Sequence, residues 1–188
     1  MRKNGGFTVI EMSFALIIIG IISASVLMRL NSFSKYNSLE KEVWKVFKDF
    51  SSLRARAMKN DCTIKVSFIS ASKYSVLTDL NNNGTKDGTE TNDTTALPST
   101  ITFGLPVTQP PSTAPPGLTL PAAGSFTSGD WETNGVIVDS TATAVVNKGS
   151  IYLSSPDFEK YTYCIAVADS IQTFKMYKWD GTTWIDQR

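Results

Sequence analysis

Residues 6–28 read GFTVIEMSFALIIIGIISASVLM, an apolar run preceded by a short basic head that carries Arg2 and Lys3. From Phe7 to Met28 the run is 22 residues long, about 33 Å as a helix rising about 1.5 Å per residue, which matches the hydrocarbon core of a bilayer. A cleaved secretory signal also begins basic and turns apolar, and Ile22-Ser23-Ala24 resembles the small-residue cleavage site it needs. The length of the run argues instead for a segment that stays in the membrane. Glu11 is its single charge. A carboxylate near the bilayer centre costs about 2.5–3.5 kcal/mol on insertion scales and is functional by default, so Glu11 demands a cationic partner. The positive-inside rule keeps Arg2 and Lys3 cytoplasmic and sends the C-terminal bulk outward.

Beyond the run, Tyr36, Leu39, Val43, Val46, Phe50, Leu53 and Ala57 recur at steps of three and four, the period of an amphipathic helix. Trp44 and Phe47 widen the apolar face, while Glu40, Lys41, Lys45, Lys48 and Arg54 fall largely opposite. A coiled coil has a similar stripe, but three heptads followed by strand-like sequence favour packing on a sheet, and Asn60-Asp61 ends the helix. Joined, the two halves give one helix of about 50 residues, or roughly 75 Å, half in the membrane and half under a head.

The head reads as strands. Thr63 to Ile69 and Tyr74 to Leu80 alternate and are rich in β-branched residues, which predicts a hairpin closed at Ser70 to Lys73. Further strands are expected at Ile101 to Phe103, Val136 to Val138, Ser150 to Leu153, Tyr161 to Val167, Phe174 to Trp179 and, after the turn at Asp180-Gly181, Thr183 to Ile185. The fold class is therefore α+β, a long N-terminal helix on a mostly antiparallel sheet. Seven of the eight prolines lie between Pro98 and Pro121, so Leu105 to Asp130 is expected to be a long surface loop. It serves either as a variable insertion or as a partner-docking surface.

The whole chain has 188 residues, 18 Lys and Arg against 17 Asp and Glu, and no histidine. Without histidine there is no Ser-His-Asp or Cys-His catalysis and no His-ligated zinc or haem; the expectation is a protein that is not an enzyme. A net charge of +1 lacks the strongly basic footprint of a nucleic-acid-binding domain.

Asp79 to Glu90 reads DLNNNGTKDGTE. Oxygen donors stand at positions 1, 3, 5, 7, 9 and 12 of a twelve-residue window, from Asp79, Asn81, Asn83, the Thr85 carbonyl, Asp87 and Glu90, with Gly84 at position 6. That is the EF-hand loop pattern, and calcium takes six to eight oxygens. A strand precedes the loop and no apolar helix follows, so a structural ion is expected rather than a conformational sensor. The competing reading is a solvated Asn-Gly turn.

Gly6-Phe7-Thr8-Val9-Ile10-Glu11-Met12 resembles the class III signal sequence of the type IV pilin and pseudopilin superfamily. The resemblance implies that a prepilin peptidase cuts after Gly6, making residues 1–6 a leader. Phe7 then becomes the methylated N-terminus, and Glu11 pairs with the terminal amine of a neighbouring subunit during assembly. Residues 7–29 form the membrane and assembly half of the helix, 30–60 its amphipathic half, and 61–188 a periplasmic head anchored to the bacterial inner membrane. Within the superfamily, FSSLRARAMKNDCTIKVSF, the acidic Asn-Gly loop and YTYCIAVADSIQTFKMYKWDG look like the GspH/FimT branch of minor pilins and type II secretion pseudopilins. Its implied partners are the peptidase and other pilin subunits. Met28 stands where major pilins commonly have proline, a departure that fits a minor subunit; a major pilin is the alternative. A DNA-uptake role is another, with phosphate contacts from Arg54, Arg56, Lys59, Lys65, Lys73, Lys175, Lys178 and Arg188. In an oxidising periplasm Cys62 and Cys164 either form the one intramolecular disulfide or remain two buried thiols.

Overall fold

The computed structural model describes residues 8–107, 110–121, 125–129, 131, 136–138, 147–156, 161–167 and 173–187, without the side chains of 26–32. Helix α1 (Val9–Asn60) leads into ten strands among the described residues: β1 (Thr63–Ser70), β2 (Lys73–Asp79), β3 (Thr91–Ala96), β4 (Thr102–Phe103), β5 (Thr127–Gly129), β6 (Val136–Val138), β7 (Gly149–Ser154), β8 (Thr162–Val167), β9 (Lys175–Trp179) and β10 (Trp184–Asp186). The chain divides into two units, Met1–Ser38 and Leu39–Arg188, and α1 belongs to both.

In the second unit the stripe at three-four spacing is buried: Leu39, Val43, Val46, Phe50, Leu53 and Ala57 are each at most 2% exposed. Fully burying such a side chain contributes about 1.5–3 kcal/mol. Phe50 sits at the centre of this packing, its ring 5.7 Å from Tyr74, 6.2 Å from Phe68 and 5.8 Å from Phe174. The Tyr74 hydroxyl donates back to Asp49 on the helix at 3.2 Å. The helix ends as its sequence dictates. Asp61 takes a left-handed φ of 49° and the Cys62 amide donates to the Ala57 carbonyl at 3.2 Å, the six-to-one bond of a Schellman cap.

All strand pairings are antiparallel, but the strands build two sheets. The first has the order β3-β2-β1-β6; the second runs β10-β9-β8-β7-β4, with β5 also pairing β7. The hairpin β1–β2 pairs Thr63 with Asp79 and Phe68 with Tyr74; a register shift between Phe68 and Ser70 leaves Ile69 58% exposed. The chain crosses between the sheets just after β3. The Leu97 amide bonds to the Ser72 carbonyl and the Phe103 amide to the Ala71 carbonyl, both at the tip of the first hairpin. One core joins the helix stripe to Ile64, Val66, Val76, Val136 and Val138 of the first sheet and to Ile151, Leu153, Ile165 and Val167 of the second.

One expectation changes and one open alternative is settled. The segment from Leu105 to Asp130 is not simply a surface loop, because it contains β5, and Leu105, Leu118 and Leu120 pack on a second cluster formed by Tyr152, Cys164, Ala166 and Tyr177. The cysteines do not bridge: both are free and buried. The reason lies in strand geometry. Residues along a strand alternate faces, so Tyr163, Ile165 and Val167 of β8 meet the helix-side core while Cys164 points into the other cluster, and Cys62 belongs to the first.

Candidate functional site

Two places gather the polar residues singled out by the sequence. The first is the start of α1. The Thr8 amide and hydroxyl both donate to one carboxylate oxygen of Glu11 at 2.8 Å, and the Glu11 amide donates to the Thr8 hydroxyl at 3.3 Å. This is a reciprocal capping box, with Thr8 as N-cap and Glu11 three residues on. A carboxylate here also meets the positive end of the helix dipole. The signal was present in the sequence as Thr-x-x-Glu before an apolar run, and the reading of Glu11 as a residue awaiting a partner missed it. Gly6 and Phe7 lie outside the described residues.

The helix that follows is apolar on every face. Val9, Ile10, Met12, Phe14, Leu16, Ile17, Ile18, Ile19, Ile21 and Ile22 are all more than half exposed. The Ser13 and Ser25 hydroxyls turn inward, to the Val9 and Ile21 carbonyls, each at 3.0 Å, so these two add no unmet polarity. Among the described residues no helix is long and apolar enough to cross a membrane. The side chains described without interruption end at Ser25, so the expected 7–29 span extends past them at both ends.

The second place is the loop between β2 and β3. Pairing of Thr78 with Thr91 closes its base and brings Asp79 and Glu90 to the same end, where they are 2% and 6% exposed. Asp79 accepts from the amides of Asn83 (3.1 Å) and Gly84 (2.6 Å). Glu90 accepts from the amides of Leu80, Asn81 and Asp87. Asp87 accepts from the side-chain amides of Asn81 and Asn83, and Asn83 in turn accepts from both donors of Thr85. Gly84 sits at φ 80°, open to glycine at little cost, and Asn82 reaches the Thr63 amide at 2.8 Å. The donor set is all oxygen, the kind a hard cation takes. Three of its members are carboxylates, yet among the described residues no group of three His, Cys, Asp or Glu side chains is placed to hold a metal. A cation there would depend on the Asn and carbonyl oxygens, with the amide groups of Asn81 and Asn83 turned from their bonds to Asp87.

Residues 1–27 match the prokaryotic N-terminal methylation motif. No curated protein and no solved structure matches the chain. The methylation motif supports a type IV pilin-like subunit, membrane-anchored, processed by a prepilin peptidase and assembled with other pilin subunits, and it places the capped Thr8–Glu11 turn inside the recognised signal.

The remaining candidates are spread over several elements. The basic residues lie on the last turns of α1 (Arg54, Arg56, Lys59), the first hairpin (Lys65, Lys73) and β9 (Lys175, Lys178), and Arg188 lies outside the described residues. Arg56 reaches Thr78 at 3.5 Å, and the Lys178 ammonium sits 4.8 Å from the Tyr161 ring. Burial pushes both thiols above the ordinary range, Cys62 with help from the Asp79 charge, which holds them as unreactive thiols.

Proposed function

We propose that the chain is a minor pilin or pseudopilin of the GspH/FimT kind. It is held in the bacterial inner membrane with its head in the periplasm, then added to a type IV pilus or a type II secretion pseudopilus at the tip or as a priming subunit. It acts by assembly, without catalysis. The observation that carries this reading is the pairing of the methylation motif with a helix start that exposes apolar side chains on every face and holds one carboxylate. An apolar surface of that extent needs lipid or neighbouring helices to cover it, and Glu11 is the group that an amine at Phe7 of another subunit would meet.

Quantitative mass spectrometry on sheared, washed filaments tests it. A peptide beginning at methylated Phe7, at trace level relative to other pilins, is the expected result. Dominance of that peptide would make the chain a major pilin, and absence of a cut after Gly6 would defeat the reading altogether.

The loop from Asp79 to Glu90 supports a second proposal, a structural calcium ion that braces the β2–β3 connection. Its support is the twelve-residue spacing of oxygen donors from Asp79 to Glu90, together with the contact of the Asp87 carboxylate with Asn81 and Asn83. With modest charge the affinity belongs to the range of extracellular modules, about 0.1–1 mM. Titration calorimetry on the full chain in micelles should show heat with calcium, lost in Asp87→Asn. No heat and no melting shift at millimolar calcium rules the ion out.

A further inference from the structure

The outer face of the second sheet is a floor of aromatic side chains with a proline-rich segment lying on it. Tyr152 and Tyr177 point there with Cys164, and Trp184 packs against them, its ring 5.9 Å from Tyr152 and 5.5 Å from Trp179. Residues 110–121, PPSTAPPGLTLP, cross this floor with Pro111 and Pro115 buried and Leu118 and Leu120 packed on the cluster. The segment is in no strand. Side-chain donors grip its carbonyls instead: the Trp184 indole N–H donates to Thr113 at 2.7 Å, and the hydroxyls of Tyr152 and Ser128 donate to Thr119 at 3.0 and 2.8 Å. Its own bond, from the Leu118 amide to the Pro115 carbonyl, closes a turn with Gly117 at φ 77°.

Proline has no N–H to offer, so a receptor for such sequences reads carbonyls and ring surfaces. An aromatic groove with indole and phenol donors is the way it does so. The seating is also incomplete. A cleft of about 270 Å³ lined by Gly117, Leu118, Thr119, Ser128, Gly129 and Lys148 remains beside the Ser128–Thr119 bond, so the turn leaves space against the β5–β7 edge.

We propose that this face is a binding site for proline-rich peptide, filled in cis by residues 110–121, and that the same segment of a second copy of the chain exchanges into it. The occupant is argued from the segment already seated, since a second copy carries the identical sequence. Tethering gives the cis segment an effective concentration of about millimolar, so exchange requires copies crowded to that order or a loosened grip. The site holds whether or not the chain enters a filament.

Cys164 reports on the cover, because it lies under it at 0% exposure, while Cys62, equally buried in the other cluster, is the internal reference. Full-length chain in detergent micelles is labelled with a neutral thiol reagent and read by mass spectrometry. Trp184→Phe should raise Cys164 labelling about tenfold, the upper worth of one lost hydrogen bond, with Cys62 unchanged. The synthetic peptide PPSTAPPGLTLP at about ten millimolar, tenfold above the effective concentration of the tethered segment, should restore protection. A chain carrying Pro111→Ser and Pro115→Ser should behave likewise. Equal increases at both cysteines in both variants would reveal general loosening and overturn the site; selective exposure that the peptide does not reverse would reduce the segment to a fixed cis cover and overturn the exchange.

Discussion

Glu11 faces a choice between partners. In the single chain its carboxylate is engaged by both donors of Thr8, whereas in the proposed assembly it meets an amine. Two substitutions separate the roles. Thr8→Ala removes the cap hydroxyl and costs about 1 kcal/mol, visible as faster amide exchange in the first turn, yet leaves the charge; filament incorporation should persist. Glu11→Gln keeps an oxygen that Thr8 can bond and removes the charge; incorporation should collapse while the head melts as before. Equal losses in both would show that the cap, not the charge, is what assembly needs. A second carboxylate gives a pH prediction. Asp180 accepts from the Thr183 amide at 2.9 Å and from the Thr182 hydroxyl and amide at 2.8 Å, and these bonds hold its pKa at about 2, against an ordinary value of about 3.9. A lowered folded pKa means the turn favours the fold fully above about pH 4 and loses that contribution as the pH falls toward 2. Carboxyl carbon NMR should place the midpoint near 2; a midpoint near 4 would mean that the turn's donors do not engage the carboxylate in solution.

At the scale of elements, the tightest constraint is a strand glycine. A Cβ built on Gly149 in β7 would stand 2.2–2.7 Å from the Trp131 ring, and Trp131 is only 1% exposed. Gly149→Ala should therefore destabilise by about 1–3 kcal/mol, read as a lower denaturant midpoint at unchanged slope; an unchanged midpoint would show that the ring can move aside. Nothing in the sequence pairs residues 131 and 149. What alternation does carry is the face a side chain takes, which is why β1, β2 and β8 were legible from their β-branched runs. It does not carry the sheet to which a strand belongs, so one sheet was expected where two form. β3, TNDTTA, was missed because it has no apolar period: its side chains are nearly all exposed and its place comes from backbone pairing with β2. The proline-rich segment misled for a related reason. Proline forbids ladder hydrogen bonds, but it does not forbid packing, and Leu105, Leu118 and Leu120 supply the apolar contacts. The loop from Asp79 to Glu90 was legible as a spacing; the β2–β3 pairing that closes its base was not.

For the molecule as a whole, the apolar exposure of the first unit and the closed core of the second set different requirements, a lipid-like environment for one and none for the other. The second unit is held without a bridge between Cys62 and Cys164, its two thiols lying buried in separate clusters. That has a measurable consequence in an oxidising compartment. A bridge from Cys62 to Cys164 would close a loop of about 100 residues, for which the chain-entropy relation gives about 4.7 kcal/mol, and losing that much would lower the melting temperature of a domain this size by roughly 10–20 °C at about 2–4 °C per kcal/mol. The full chain purified without reductant should instead melt at the same temperature before and after reduction, and both thiols should label stoichiometrically once it is unfolded. A fall of ten degrees on reduction, with no labelling of the oxidised unfolded chain, would mean that β8 presents Cys164 to the helix side, reversing the alternation on which the cover over the second sheet also depends.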